Sequence, residues 1–406
     1  MRLIRMTGVA VAAQLIALSV AATAFAQGNS RSLPVQSVRS GVGAVYVLDN
    51  AAAANQVVEF RRAADGRLAP AGTFATGGRG TGDLLDAQGT LILSEGNRWL
   101  FAANAGSDDI SVFAVLEGGG LTLTSRVASG GDRPISLTVS EDLLYVLNSG
   151  GSGNITAFDI GPGGGLTQLA ASSRPFSTTA SAPCPRPGDI ALDPDAQCNV
   201  AGPAQVQFSS GGHVLAVTER ATSLILTYVV GDDGRATPAG VYQGPANSTP
   251  FGFDFAKRGR LIVSNAFLDL PNLGAASSFI VSATGDITEV TGAAAAPNGQ
   301  TASCWLIVSN SGRVAFIANP IAATLTSYTI NNDGSLSLLN GQAGLIGEAG
   351  DPRDMALNEN GRFLYALNNR AATLSSFVVR GDGSLVRLEL RAADGFPANA
   401  VGLAAR

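Results

Sequence analysis

The strongest constraint on this 406-residue chain is a spacing that recurs seven times. An apolar strand closing on a polar residue appears as Tyr46-Val47-Leu48-Asp49-Asn50, Leu100–Asn104, Leu144–Asn148, Leu215–Glu219, Leu261–Asn265, Ala315–Asn319 and Leu364–Asn368. A second, alternating strand follows each and closes on an aromatic: Phe60, Phe113, Phe158, Tyr228, Phe279, Tyr328 and Phe377. A third begins at Leu68, Leu121, Leu166, Ala236, Ile287, Leu336 and Leu385, always 8 residues beyond that aromatic. Turns such as Asp65-Gly66, Gly119-Gly120, Asp333-Gly334 and Asp382-Gly383 fill the gap. A hairpin fixes register through its turn, so an invariant spacing over seven copies marks seven copies of one sheet.

A fourth strand precedes most of these units, as in Pro134–Val139, Pro203–Phe208, Pro250–Phe255, Ser303–Val308 and Pro352–Leu357, with a weaker copy at Thr90–Leu93. The unit opening at Tyr46 has no such strand before it, and the C-terminal stretch Pro397–Leu403 supplies the missing pattern. The expected fold is therefore all-β: a seven-bladed β-propeller of four-stranded antiparallel blades, closed by a C-terminal strand completing the N-terminal blade. Closure of this kind removes long exposed sheet edges. An outer-membrane barrel needs strands of about 10 residues and two aromatic girdles. Here aromatics are 6% of the chain, and those of the repeat recur at one place per unit, as expected for packing between blades.

Residues 1–26 read as a cleaved signal peptide: Arg2 and Arg5, an apolar run from about Val9 to Ala22, then Ala24-Phe25-Ala26. Residues 27–42 read as a linker and 43–406 as the propeller. A periplasmic or secreted location follows, with no membrane span after processing. In that compartment Cys184 and Cys198, in a Pro-rich stretch, are expected to form a disulfide, leaving Cys304 as a buried small hydrophobe. A net charge of −5 with a single lysine, Lys257, disfavours nucleic acid as a partner. A single histidine, His213, excludes a multi-histidine metal centre, and no metal or cofactor is expected.

With strands labelled A (inner) to D (outer), A–B and C–D turns lie on one rim and B–C and D–A loops on the other. C–D spacing is constant, whereas D–A spacing, measured between matching positions, runs from 15 (Leu385 to Ala400) to 40 (Leu166 to Val206). Variable loops on a rigid scaffold are where binding resides, so the functional rim is expected on the D–A side. The longest insertion, about 171–202, carries the expected disulfide, and Phe267–Leu273 forms a second insertion. Arg133, Gln205, Asp254, Arg353 and Asp354 at A-strand starts, with Glu219 and Arg220 at the end of a B strand, supply polar groups at one level. Trp305 offers a flat apolar wall.

The Asp-Gly-x-Leu turns and the segments Val217–Thr222, Thr249–Phe253 and Ala302–Trp305 resemble the seven-bladed lactonase-family propellers, which include 6-phosphogluconolactonase and the 3-carboxy-cis,cis-muconate lactonising enzyme. The chain is more similar to an exported branch of that family. The resemblance implies hydrolysis or isomerisation of a small anionic lactone at the channel mouth. Glu219 and Arg220 would be catalytic, and Arg133, Gln205, Asp254, Trp305, Arg353 and Asp354 would line the substrate. The lactonising relatives also use histidine, whereas His213 falls in an A–B turn on the opposite rim. The alternative is a non-catalytic propeller that holds a protein, glycan or small ligand on the variable rim.

Overall fold

In a computed structural model of the chain, which describes residues 42–184, 196–347, 350–392 and 396–406, each repeat closes into a four-stranded antiparallel sheet. The proposed signal peptide and most of the linker lie outside the described residues. Seven such sheets form the ring. In blade 1 the strands Gly43–Leu48, Gln56–Arg62 and Leu68–Ala75 take Val401–Ala405 as their inner strand, with Val45 opposite Ala405 and Val47 opposite Leu403. The first and last strands of the propeller thus seal one blade.

Burial follows strand position. The B strands are covered on both faces, so their apolar runs are continuous, as in Val314–Asn319, buried throughout. The D strands, such as Leu68–Ala75, bury their first residue and then expose one face. All seven aromatics that close the C strands are at most 2% exposed. They pack between blades: Phe279 of blade 5 meets Tyr242 of blade 4 at 4.6 Å between ring centroids.

The polar residue ending each B strand has a structural task. Asn104, Asn265, Asn319 and Asn368 each donate through Nδ2 to hydroxyls on the neighbouring C strand, as Asn368 does to Thr373 at 2.9 Å and Ser375 at 3.0 Å. Asn148 donates instead to the side-chain oxygen Oδ1 of Asn154. In blade 1 the equivalent residue is Asp49, one position before the Asn50 that the repeat pattern suggested, because Phe60 pairs with Val45. Asp49 instead accepts from the backbone N–H groups of Ala51 and Gln56.

The inner strands leave a row of unpaired backbone groups around the channel. Polar side chains of one blade satisfy the backbone of the next. Thr90 donates to the Ile135 carbonyl, and Ser136 and Thr138 accept from Val206 and Phe208. The Gln205 amide both donates to and accepts from the Phe253 backbone, Asp254 accepts from Val308 N–H, and Asp354 accepts from Leu403 N–H of the closing strand.

One connection departs from the repeat. The chain between blades 1 and 2 crosses the channel, so that Gln88 reaches four other blades. Its side-chain amide pairs with both backbone groups of Leu306 (2.6 and 2.9 Å), its N–H donates to the Ala204 carbonyl, and its carbonyl accepts from Ser136 Oγ. Gly252 of blade 5 permits this approach: a Cβ there would lie 2.3 Å from Gln88 Oε1. Beneath this plug lies a cavity of about 280 Å³, walled by Gln205, Gln207, Asp254, Asp354 and apolar residues such as Leu91 and Ile307.

Candidate functional site

The plug carries Asp86 to the D–A rim, and two arginines converge on it. Arg353, near the start of the blade 7 inner strand Pro352–Leu357, donates from Nη1 to Asp86 Oδ1 at 2.9 Å. Arg220, just beyond the blade 4 strand Val214–Glu219, places Nη1 3.5 Å from Asp86 Oδ2. Arg353 is also gripped at Nε by both oxygens of Asp351, at 3.0 Å each. Burial alone would lower its pKa, but Asp351 and Asp86 raise it above the usual value.

Both guanidiniums rest on aromatic faces. Arg353 lies 5.7 Å from the Trp305 ring centroid and Arg220 5.5 Å from that of Phe251. The two rings meet at 4.8 Å, and Trp305 donates its indole N–H to the Ala87 carbonyl at 2.8 Å. Trp305 is therefore a buried floor beneath the arginines. Stacking and carboxylate contacts hold both planar cations in fixed orientations. Asp269, on the exposed second insertion, adds a third carboxyl to the surroundings of the two arginines. Burial is the main cause of its raised pKa, Asp86 pushes the same way, and Arg353 and Arg220 oppose. The Cys304 thiol is buried under these groups; burial first, then Asp269 and Asp86, push its pKa well up.

The other candidates have different surroundings. Glu219, fully buried, stands where five repeats carry asparagine. Its oxygens accept from Ser177 N–H at 2.8 Å, from Ser177 Oγ, and from Thr222 Oγ1 at 2.6 Å. It clamps the long insertion to blade 4. The insertion is further tied by Asn199, which donates to the Ser152 and Thr178 carbonyls, and by the Cys184–Cys198 disulfide. Residues 185–195, which that disulfide spans, lie outside the described residues.

Arg133 donates its backbone N–H to Asp108 at 2.7 Å, in a group formed by blades 2 and 3. Gln205, Asp254 and Asp354 lie in the channel wall as inter-blade ties. Burial raises the pKa of Asp254, and that of Asp354 to about 7. Asp354 also holds a left-handed backbone with φ of 95°. His213 lies in the turn between Phe208 and Val214, at the far end of the strand pair from Glu219. Among the described residues no group of three or more His, Cys, Asp or Glu side chains is placed to hold a metal ion, and no helix is long and apolar enough to cross a membrane.

Asp86 was missed by the sequence reading because it belongs to no repeat. The usable signal was an acidic residue in an overlong D–A connection, 23 residues from Leu68 to Leu91.

A seven-bladed propeller with a charged rim over a plugged channel defines the class. The sequence model described as "Lactonase, 7-bladed beta-propeller" matches residues 41–182 and 276–397, and the chain belongs to that family. Among solved structures it is similar to the periplasmic gluconolactonase of Pseudomonas aeruginosa, with 18% identity, a TM-score of 0.68, and coverage of 89% of this chain and 98% of that one. A provisionally assigned 6-phosphogluconolactonase of Bacteroides uniformis gives 16% identity, a TM-score of 0.69, and coverage of 90% and 99%. A protein from Lactobacillus plantarum gives 18%, 0.67, 89% and 98%. At these identities the solved structures bear on the fold alone. No curated protein matches by sequence.

Proposed function

We infer that this is an exported lactonase-type hydrolase that opens a small anionic lactone at the Arg220–Arg353 cluster. The observation that carries this reading is the convergence of two stacked, oriented arginines from different blades on a single carboxylate, Asp86. That carboxylate marks a position where an anionic group is stable between two cations. A substrate carboxylate, or the oxyanion formed when water adds to the lactone carbonyl, is the same kind of partner. Preorganised cations stabilise such developing charge without reorganising. Family membership and the disulfide support the lactone class and an oxidising compartment.

Water activation by Glu219 would require its carboxylate to leave Ser177 and Thr222. We assign it instead to anchoring the insertion. The test is a panel of lactones, with and without a carboxylate or phosphate substituent, assayed with wild type, Arg353→Ala and Glu219→Gln. Turnover of anionic lactones that is lost in Arg353→Ala and kept in Glu219→Gln supports the reading. Loss in Glu219→Gln with a folded protein would return the base role to that residue. No turnover of any lactone would leave the non-catalytic binding propeller, a reading favoured by exposed Leu268, Leu270 and Leu273 on the same rim.

A further inference from the structure

We propose that Asp86 is a specificity-determining internal competitor: it holds the anion position of the arginine pair in the resting protein and leaves it when an anionic ligand binds. The identity of the ligand rests on the lactone reading above, while the competition rests on the geometry of the cluster. One carboxylate already bridges both cations, with Arg353 Nη1 at 2.9 Å from Asp86 Oδ1 and Arg220 Nη1 at 3.5 Å from Oδ2. The rest of each guanidinium is oriented by the fold. Arg353 Nε is bonded to Asp351 and its plane rests on Trp305; Arg220 Nε donates to the Gly202 carbonyl at 3.2 Å and its plane rests on Phe251. A ligand carboxylate that bridges the same two nitrogens must displace Asp86.

The two carboxylates on Arg353 are held differently. The Asp351 side chain is 6% exposed and grips Nε with both oxygens from just before the strand Pro352–Leu357. The Asp86 side chain is 44% exposed and comes from the plug. An exposed ion pair is weak because water solvates both partners, whereas opening a buried one strands a charge. Asp86 is therefore the one free to leave. The backbone around it agrees. The plug is anchored ahead of Asp86 by Asn50, which bonds the Asp83 carbonyl and the Thr81 N–H, and after it by Trp305 on the Ala87 carbonyl and by Gln88 on Leu306. Between those anchors the N–H groups of Leu85, Asp86 and Ala87 make no hydrogen bond among the described residues.

Charge counting gives selectivity. The groups in direct contact are two guanidiniums and two carboxylates, so the resting cluster is neutral. With Asp86 turned to solvent, Arg220, Arg353 and Asp351 carry one net positive charge, matched to one ligand carboxylate. A neutral ligand gives the arginines nothing in place of the carboxylate they would lose, so Asp86 closes the position to it.

The test is calorimetric titration of the full-length mature protein at low ionic strength. The probe is malate, a hydroxy dicarboxylate of the kind that opening an anionic lactone yields, with its neutral dimethyl ester as control. Wild type is compared with Asp86→Asn, which keeps the size of the side chain and removes its charge, and with Asp86→Ala. Hydrogen bonds to charged groups are stronger than neutral ones, so both variants are expected to bind malate at least ~10-fold more tightly than wild type, with the ester unaffected. Melting temperatures show that the variants are folded, and the same proteins are assayed on anionic lactones. Malate affinity unchanged or weakened in folded Asp86→Asn overturns the competitor role and makes Asp86 a support for the arginines. Tighter malate binding without turnover of any lactone upholds the competition and overturns the lactone reading. Malate binding by none of the three proteins overturns the competitor role alone where anionic lactones are turned over, and both readings where they are not.

Discussion

Asp354 is expected to make the propeller less stable as pH rises, and Asp354→Asn to remove that dependence. Its carboxyl is buried in the channel wall, 4% exposed, with two backbone donors, Met355 and Leu403, at 2.8 and 3.0 Å. Burial raises its pKa from 3.8 to about 7. The sign follows from proton counting: between those values the folded state holds a proton that the unfolded state has released. The folded state is thus favoured fully below pH 4, and the advantage is lost as pH rises to 7. Roughly three pKa units correspond to about 4 kcal/mol. Asparagine carries no charge to desolvate but offers one acceptor oxygen, so one backbone N–H loses its partner, at about 1–3 kcal/mol. The variant is therefore expected to be less stable than wild type by about that amount at pH 4.5 and more stable by about 1–3 kcal/mol at pH 8. Urea midpoints at unchanged m-value measure this. Asp254, buried in the same channel wall, titrates in the same direction in both proteins and cancels in the difference. A stability difference between wild type and variant that does not change with pH would refute the reasoning.

Three further outcomes are expected. Glu219→Ala strands the Ser177 and Thr222 donors in a buried space and should cost about 2–4 kcal/mol, read as a lower urea midpoint and faster protease cleavage within 171–202. Replacing Cys184 and Cys198 by serine releases a 14-residue loop; about 3 kcal/mol of chain ordering is lost from the insertion, seen as faster cleavage there with little change in blade unfolding. Deleting 401–406 removes the inner strand of blade 1 and the Asp354 partner Leu403, and should abolish cooperative unfolding and produce self-association in size-exclusion chromatography.

Most of the ring was legible in the sequence because the C–D hairpin has one length and one turn chemistry in every repeat. The closing strand was legible because its absence before Tyr46 left a gap that Pro397–Leu403 filled. The one-residue slip at Asp49-Asn50 arose where two polar residues adjoin and only pairing with Phe60 decides between them. The site was less legible. Arg220, Arg353 and Trp305 could be placed on one rim from strand position, but Asp86 joins them through a plug whose partners lie as far away as Leu306, with no periodicity to betray it. Gln205, Asp254 and Asp354 read as polar groups lining a substrate, and their hydrogen bonds to the backbone of the next blade appear only when the unpaired inner edges are followed around the ring.

The claim on which the functional account depends is that Arg353 and Arg220 together recognise negative charge on a lactone. Its most direct test is the ratio of kcat/KM for an anionic lactone to that for its neutral ester-blocked analogue, in wild type and in Arg353→Gln/Arg220→Gln. The account expects a preference of at least ~10-fold for the anion in wild type, as a hydrogen bond to a charged group is worth about 1.5–3 kcal/mol, and a ratio near one in the double variant. An equal preference for the anion in both proteins would contradict it.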